Sequence, residues 1–294
     1  MVAASKTPDA EFAVDGDLVA RLIARQHADL AKLPLRFEAS GWDNVMFRLG
    51  DDLAVRLPRR TMGAQFMQSE QAWLQVLGPR LPLLTPAPVR LGVPDLDYPW
   101  TWSIVPWIEG ETADLDPPDE HQGVVLAAFF KALHQPAPPE APHNPVRGVP
   151  LSTRQDMFEK QLEYLGSRTD LIDSRALEIW RAGVSAPTDL EGLWVHGDPH
   201  PRNVIVRNGK LKAFIDWGDM TRGDPATDLS SIWMLLDAPA ARQAAMEAYG
   251  ASEATWARAR GWAMYYVVVL LAAGIADDPR MKAIAEKTLA RLLA

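Results

Sequence analysis

The pair Asn208-Gly209 lies between two apolar-rich runs of about equal length. Such a pair between strand-like segments is the strongest short signal for a β-hairpin. A two-residue turn would place Asn203 opposite Phe214 across the two strands. The open end of the hairpin would then carry Asn203 on one strand and Asp216 just beyond the other.

Asp198 lies on the segment that leads into the same end of this hairpin. Turn chemistry alone therefore predicts that the oxygen-bearing side chains of Asp198, Asn203 and Asp216 converge. Magnesium is a hard ion that takes carboxylate and amide oxygens together with phosphate oxygens and water. The pattern indicates Asn203 and Asp216 as magnesium ligands, which leaves Asp198 to accept a proton from an attacking hydroxyl group. These are the parts of a phosphoryl-transfer site.

A different interpretation of this segment is a transition-metal site. His196, Asp198 and His200 alternate, and such residues ligate metals in metallohydrolases. That interpretation needs further ligands from elsewhere in the chain. The remaining histidines form no paired motif; they are His27, His121, His134 and His143.

Three motifs occur in one order: His196-Gly-Asp with Asn203 five residues after the Asp, then Ile215-Asp-Trp-Gly-Asp219, then Gly223-Asp-Pro-Ala-Thr-Asp-Leu229. Together they resemble the aminoglycoside phosphotransferase family, a bacterial branch of the protein-kinase-like fold. The resemblance implies Mg²⁺-dependent transfer of the γ-phosphoryl group of ATP or GTP to a hydroxyl of a small molecule. It also implies Asp198 as the catalytic base and Asp228 as a brace of the catalytic loop.

The same resemblance extends to nucleotide binding. The residues that it assigns to the nucleotide are Ser40, Gly41 and Asn44 in a phosphate loop, the pair Arg56 and Glu70, hinge residues Val105, Trp107 and Ile108, and His200 in the catalytic loop. Arg56 departs from the family, which has Lys at this position, and Arg has a wider planar fork. Arg59 and Arg60 are alternative phosphate contacts, and a surface ion pair is the alternative for Arg56 with Glu70.

Periodicity predicts a mixture of strands and helices, and the resemblance implies that they form an α+β, protein-kinase-like bilobal fold. Residues 1–106 form an N-lobe with a small antiparallel sheet, and residues 107–294 form a mainly helical C-lobe that holds the catalytic loop and the acceptor pocket. In the N-lobe the predicted elements are helices at 15–32 and 62–77 and strands at 45–49, 53–57, 89–92 and 102–105. In the C-lobe they are helices at 118–134, 157–165, 174–182, 224–236, 240–250, 252–276 and 279–293. The proline-rich residues 135–150 form a long surface loop.

Composition limits the partners. The chain of 294 residues has a formal net charge of -8, which argues against nonspecific nucleic-acid binding, and it contains no cysteine. Its longest uncharged run, Trp262–Ala276, is shorter than the roughly 20 residues of a bilayer span, so a buried helix is expected. Met1–Asp15 lacks the pattern of a secretory signal. We therefore expect a cytoplasmic protein with a small-molecule acceptor and neither a nucleic-acid nor a membrane partner.

Several alternatives stay open at this point. The acceptor is an antibiotic such as an aminoglycoside or a macrolide, or it is a metabolite such as a sugar or an amino alcohol. The departure at Arg56 also admits a nucleotide-sensing pseudokinase. Asp219 either forms a turn or faces a substrate cation. Five aromatic residues are more typical of a core than of an acceptor pocket; they are Trp233, Trp256, Trp262, Tyr265 and Tyr266. The sequence decides neither ATP against GTP nor the oligomeric state.

Overall fold

The computed structural model describes residues 9–294, so the first eight residues of the predicted N-lobe lie outside the described residues. A five-stranded antiparallel sheet has the strand order β1-β2-β3-β5-β4. Its strands are β1 (Leu35–Ser40), β2 (Asn44–Leu49), β3 (Leu53–Pro58), β4 (Arg90–Gly92) and β5 (Trp102–Pro106). Helix α1 (Gly16–Gln26) precedes the sheet, and α2 (Thr61–Leu77) connects β3 to β4.

Four of these strands were expected from the sequence, but β1 was not. Its side chains are almost all exposed, so it lacks the alternation of apolar and polar residues by which a half-buried strand is detected. The first helix is also shorter than predicted, since it ends at Gln26 and turns replace helix over residues 28–32.

The rest of the chain is mainly helical. Its helices are α3 (Gly123–Leu133), α4 (Gln155–Leu165), α5 (Ser174–Ser185), α6 (Ala226–Leu229), α7 (Ser231–Leu235), α8 (Pro239–Tyr249), α9 (Glu253–Ala276) and α10 (Pro279–Leu293). Its short strands are β6 (Glu111–Thr112), β7 (Leu193–Val195), β8 (Val204–Arg207), β9 (Lys210–Phe214) and β10 (Thr221–Gly223). The α+β, protein-kinase-like bilobal architecture is confirmed.

The single helix predicted over residues 224–236 was wrong, because the segment is divided between α6 and α7 at Ser230. The hydroxyl groups of Ser230 and Ser231 donate to the carbonyls of Thr227 and Asp228, at 2.6 and 2.7 Å. Serine hydroxyls compete with the backbone for such carbonyls and favour breaks of this kind.

Helix α9 is the centre of the helical lobe. By length and composition it is the one helix of residues 9–294 that could cross a membrane, but 72% of its most apolar window is buried inside the protein. It packs against α5 and α10, so the buried helix expected around residues 262–276 is confirmed.

Helix α2 connects the five-stranded sheet to the hydrophobic core of the helical lobe. Its C-terminal half contributes Leu74 and Leu77 to the core of the helical lobe, and Trp73 packs against Trp194 with ring centres 4.9 Å apart. After α2, the amide of Leu84 donates to a carbonyl of β9 at 2.9 Å. The core of the helical lobe therefore includes the end of α2.

Candidate active site

The predicted hairpin is formed by β8 and β9. Asn208 and Gly209 have φ angles of 53° and 71°. Positive φ at both central residues is the geometry of a type I′ turn, which Asn-Gly favours because Asn tolerates this region and Gly has no Cβ. The turn is therefore the one that its two residues predict.

The pairing further along the hairpin differs from the prediction by one residue. Val204, rather than Asn203, faces Phe214, because β9 contains a β-bulge at Lys212. A bulge adds one residue to one strand and changes the direction of the residues beyond it. The amide of Ile215 nevertheless donates to the carbonyl of Asn203 at 2.9 Å, which keeps Asn203 next to the residue that follows Ile215.

That following residue is Asp216, which is close enough to Asp198 for the two carboxylates to repel each other. The amide nitrogen of the Asn203 side chain donates to the main-chain oxygen of Asp198 at 2.9 Å and lies 3.4 Å from its Oδ2. Asp216 has a φ of 58°, a left-handed conformation that is rare outside glycine, and the residue is exposed. Strained backbone of this kind clusters at functional sites.

The loop that carries Asp198 is anchored by Asp228 through the two residues before Asp198. Its buried carboxylate accepts the amides of His196 at 2.6 Å and Gly197 at 2.9 Å, and it lies 3.2 Å from Nε2 of His134. Gly197 has a φ of 90°, which a residue with a Cβ rarely adopts. The contact expected of Asp228 as a brace is confirmed.

The electrostatics of the site favour an ionised base. Burial raises the pKa of Asp198, but His200 and Arg147 outweigh it, and the pKa is lowered. Burial also lowers the pKa of His200 itself, so its ring is mostly uncharged at neutral pH. Because Arg147 is permanently charged, we attribute most of the stabilisation of the Asp198 carboxylate to Arg147. Asp216 has a raised pKa because of desolvation, with repulsion from Asp198 added.

Arg56 and Glu70 form a buried two-pronged ion pair between β3 and α2. Nη1 of Arg56 lies 2.5 Å from Oε2 of Glu70, and Nη2 lies 3.2 Å from Oε1. The two side chains are only 10% and 2% exposed, so the alternative of a surface ion pair was wrong. Burial would lower the pKa of Arg56, but the carboxylates of Glu70 and Asp216 raise it. The guanidinium is therefore a fixed positive charge close to Asp216.

The predicted phosphate loop is the turn between β1 and β2, where the amide of Gly41 donates to the carbonyl of Asn44 at 2.9 Å. Arg59 holds this turn from the outside, through the hydroxyl of Ser40 at 3.1 Å and the carbonyl of Gly41 at 3.0 Å. Arg60 pairs with a carboxylate of the same turn at 3.0 Å. These two arginines therefore brace the loop in the structure.

The hinge follows β5. Trp107 donates its amide to the carbonyl of Asp52 at 2.7 Å, which removes that amide from the groups available to a purine. Val105 lies opposite Ala54 in the sheet, at the end of the strand. Ile108 lies beyond the paired region, so its main chain is the predicted hinge contact that the sheet does not use.

A contribution that the sequence did not predict comes from the proline-rich segment 135–150. Many of its residues are exposed, as expected of a surface loop, but its end folds inward: Nη2 of Arg147 lies 3.2 Å from Oδ1 of Asp198, and Nε lies 3.7 Å from Oδ2 of Asp219. Asn144 donates to Oδ1 of Asp219 at 2.7 Å. Asp219 therefore faces Asn144 and Arg147. The sequence signal for this contribution was a single arginine, Arg147, between two residues that favour turns, Asn144 and Gly148.

The aromatic residues proposed as core are buried. One of them, Tyr266 of α9, also touches the site, since its hydroxyl donates to the carbonyl of Gly197 at 2.7 Å. Nε2 of His196 lies 3.0 Å from the carbonyl of Ile215, which is a structural contact. Within residues 9–294 no group of three or more His, Cys, Asp or Glu side chains is arranged so that it could hold a metal ion.

A two-lobed fold with a sheet-to-helix ion pair and a loop carrying Asp198 and Asn203 beside Asp216 defines a phosphotransferase of the protein-kinase type. The chain belongs to the phosphotransferase enzyme family whose model matches residues 34–262.

Solved structures of the same fold include the GDP complex of wild-type aminoglycoside 2'-phosphotransferase-IIIa, with 17% identity, a TM-score of 0.63 and coverage of 95% of this chain and 99% of the other. The macrolide 2'-phosphotransferase MphH of Brachybacterium faecium has 21% identity, a TM-score of 0.58 and coverage of 92% and 96%.

Among curated proteins, stress response kinase A of Salmonella choleraesuis (strain SC-B67) is 39% identical over 75 residues, which cover 26% of this chain and 20% of the relative. The serine/threonine protein kinase RdoA of Salmonella typhimurium matches to the same extent. The match spans a fifth of the length of these relatives.

Proposed function

We propose that the protein transfers the γ-phosphoryl group of ATP or GTP to a hydroxyl of a small molecule, with Mg²⁺. The observation that carries this proposal is the convergence of Asp198, Asn203 and Asp216 at the open end of one hairpin. In such a site positioning and charge neutralisation supply most of the rate, and no covalent intermediate with the protein is required.

The donor atoms fit magnesium. The Asn203 side chain turns its NH₂ group toward Asp198, so its amide oxygen points away from the base. Asp216 is exposed and supplies a carboxylate. Magnesium in kinases uses one or two protein oxygens of this kind together with phosphate oxygens and water. A bound ion would neutralise charge on the transferring phosphoryl group, with Asn203 and Asp216 as its protein ligands.

The protein residues then have separate tasks. Asp198 orients the acceptor hydroxyl and takes its proton as the oxygen bonds to the γ-phosphorus, while the bond from that phosphorus to the leaving nucleoside diphosphate breaks. Arg56, fixed by Glu70, supplies positive charge toward the nucleotide phosphates. The main chain of the hinge at Val105 and Ile108 contacts the base of the nucleotide, and the turn at Ser40 covers its phosphates. His200, which lies 3.5 Å from Oδ2 of Asp198, approaches the same phosphates.

The acceptor that we propose is an antibiotic of the aminoglycoside or macrolide type, because phosphotransferases for both kinds share the fold over nearly the whole chain. A metabolite kinase is the alternative, since the catalytic core would be the same. We place the reaction in the cytoplasm, where nucleoside triphosphates are available, and propose no nucleic-acid or membrane partner. We also propose the division into an N-lobe and a C-lobe at residue 106, on the basis of the fold shared with these phosphotransferases.

The test combines a screen with a matched pair of variants. The native protein is incubated with Mg²⁺, ATP or GTP and aminoglycosides, macrolides, nucleoside antibiotics or sugars, and nucleoside diphosphate release and product mass are measured. We expect Asp198→Asn to lower turnover about a hundredfold or more while nucleotide binding persists. Asp170→Asn, an exposed substitution of the same chemistry, is the control. An Asp198→Asn variant with native turnover, or a native protein that binds neither nucleotide, refutes the proposal.

A further inference from the structure

The segment 144–148, here called the arginine loop, packs against the site through Arg147, which contacts Asp198 and Asp219. Oδ1 of Asn144 accepts the amides of Val146 at 2.9 Å and Arg147 at 3.1 Å, and the amide of Asn144 donates to Oγ1 of Thr221 at 3.0 Å. The side chain of Asn144 thus fixes the turn, and its main-chain amide attaches the turn to β10. The backbone of Arg147 is therefore held by hydrogen bonds at its own amide and on the N-terminal side of the loop.

The other end of the arginine loop is held equally closely. Gly148, with a φ of 64°, donates to Oγ1 of Thr227 at 3.2 Å and accepts the amide of Asp224 at 2.8 Å. It packs so tightly that a Cβ at Gly223 would lie 2.3 Å from the carbonyl oxygen of Gly148. Movement of Arg147 away from the site would therefore break contacts on both sides of it.

The guanidinium at the centre of this loop is directed at the proposed base. Nη2 of Arg147 lies 3.2 Å from Oδ1 of Asp198, and Nε lies 3.7 Å from Oδ2 of Asp219. The group is 5.3 Å from the ring centre of Tyr266, and its side chain is 19% exposed. A planar fork can face two carboxylates and an aromatic ring at once, which a lysine ammonium cannot do with the same geometry.

The two oxygens of Asp198 are thus held by different elements. Arg147 holds Oδ1 from the arginine loop, and Asn203 holds Oδ2 from the start of the hairpin at 3.4 Å. Together these contacts fix the rotation of the carboxylate about its bond to Cβ. A base that accepts a proton from an attacking hydroxyl needs this orientation, because misplacement by about 1 Å can cost a hundredfold in rate.

We propose that Arg147 is a positioning residue of the reaction: through its guanidinium it orients the carboxylate of Asp198 toward the acceptor hydroxyl. The inference rests on the proposed function, since it assigns Asp198 the role of base. Arg147 belongs to the arginine loop rather than to the motifs around Asp198, Asp216 and Asp228 that carry the phosphotransferase pattern.

The test uses water as the acceptor, so that it does not depend on the identity of the antibiotic or metabolite. Phosphate release from Mg·ATP and Mg·GTP is measured for the native protein, Arg147→Ala, Arg147→Lys and Arg168→Ala. Arg168 is a matched control, because its guanidinium also lies over a tyrosine ring, that of Tyr164 at 4.0 Å, but on the surface near the end of α4.

We expect kcat of Arg147→Ala to fall by about tenfold or more while KM for the nucleotide changes by less than about threefold. Guanidinium ion at millimolar concentration should restore part of kcat in Arg147→Ala and none in Asp198→Asn, and Arg147→Lys should be intermediate. Arg168→Ala should retain native kcat. Circular dichroism and the thermal midpoint confirm that each variant is folded.

The outcomes separate the two proposals. If native protein hydrolyses a nucleotide and Asp198→Asn does not, but Arg147→Ala keeps native kcat, the inference about Arg147 is refuted and the proposed function stands. A loss of kcat in Arg147→Ala that guanidinium does not rescue, with KM raised to the same extent, also refutes it, because a general structural effect would then explain the loss. A native protein that binds and hydrolyses neither nucleotide overturns the proposed function and the inference together.

Discussion

Replacing Asp228 by asparagine exchanges one of its carboxylate oxygens for an NH₂ group. Each of the two oxygens accepts a hydrogen bond from a main-chain amide, so the NH₂ group would face a donor at either position. Oδ1 accepts the amide of Gly197, and Oδ2 accepts the amide of His196 and faces Nε2 of His134. Whichever oxygen is lost, at least one buried amide faces another donor. The remaining hydrogen bonds also become neutral, and neutral bonds are weaker than bonds to an ionised group.

The size of the effect follows from these contacts. A hydrogen bond to a charged group contributes roughly 1.5–3 kcal/mol, and a buried donor without a partner costs about 1–3 kcal/mol. The lost bond, which leaves one buried amide unpaired, and the weakening of the remaining bonds predict a loss of about 4 kcal/mol in the free energy of unfolding of Asp228→Asn. That is a large part of the roughly 5–15 kcal/mol of an ordinary domain.

Urea unfolding followed by tryptophan fluorescence measures this loss, and phosphate release measures its effect on the catalytic loop. Asp237→Asn is the control, since that carboxylate is 64% exposed in its pair with Arg291 and should change stability by about 1 kcal/mol or less. A destabilisation of Asp228→Asn below about 1 kcal/mol would show that the buried carboxylate is not the anchor that we infer.

Three further results are expected. Arg56→Ala should destabilise the protein by about 3–5 kcal/mol, because it leaves Glu70 buried without a partner, and Arg56→Lys should retain part of that stability and raise KM for the nucleotide; urea unfolding and nucleotide titration measure both, and equal stability of Arg56→Ala and native protein would contradict this. Burial raises the pKa of Asp189, but hydrogen bonds from the start of α9 lower it to about 2, below its ordinary value of 3.8. The ionised Asp189 therefore stabilises the fold above about pH 4, and this stabilisation is lost as the pH falls through 2. After allowance for solvent screening, Asp189→Asn should cost about 1 kcal/mol at pH 7 and nothing below pH 2 in urea unfolding. Gly223→Ala should displace Gly148, through the 2.3 Å approach described above, and lower kcat as Arg147→Ala does; native kcat would show that the arginine loop adapts.

The parts of the fold that the sequence predicted correctly are those in which local chemistry decides the structure. Asn208-Gly209 forms the expected turn because both residues accept positive φ, and the strand and helix patterns around residues 45–77 are strongly periodic. The bulge at Lys212 was not predicted, because the local composition is that of a regular strand. The carbonyl of Lys212 accepts the amide of Leu84, which is distant in the sequence, so the contact could not be inferred from the neighbouring residues.

Long-range contacts explain the other differences. The strands β7 and β10 contain three residues each and pair across more than twenty intervening residues, so neither has enough length to show a pattern. Arg147 lies fifty-one residues before Asp198, and its role depends on the hydrogen bonds of Asn144 and Gly148 to a segment that follows the hairpin. Prolines around it indicated a loop correctly, but not the direction in which the loop folds.

Helix α2 has consequences for how far the two halves of the protein can separate. Its middle is bonded to the sheet through Glu70, while Trp73 and Leu77 are packed into the opposite lobe. A rigid swing of the sheet away from the helices would have to pull apart either the buried guanidinium–carboxylate pair or this apolar packing. Helix α2 therefore restrains wide separation of the two halves, whereas the short turn at Ser40–Gly41 is held by the side chain of Arg59 at the exposed edge of the sheet.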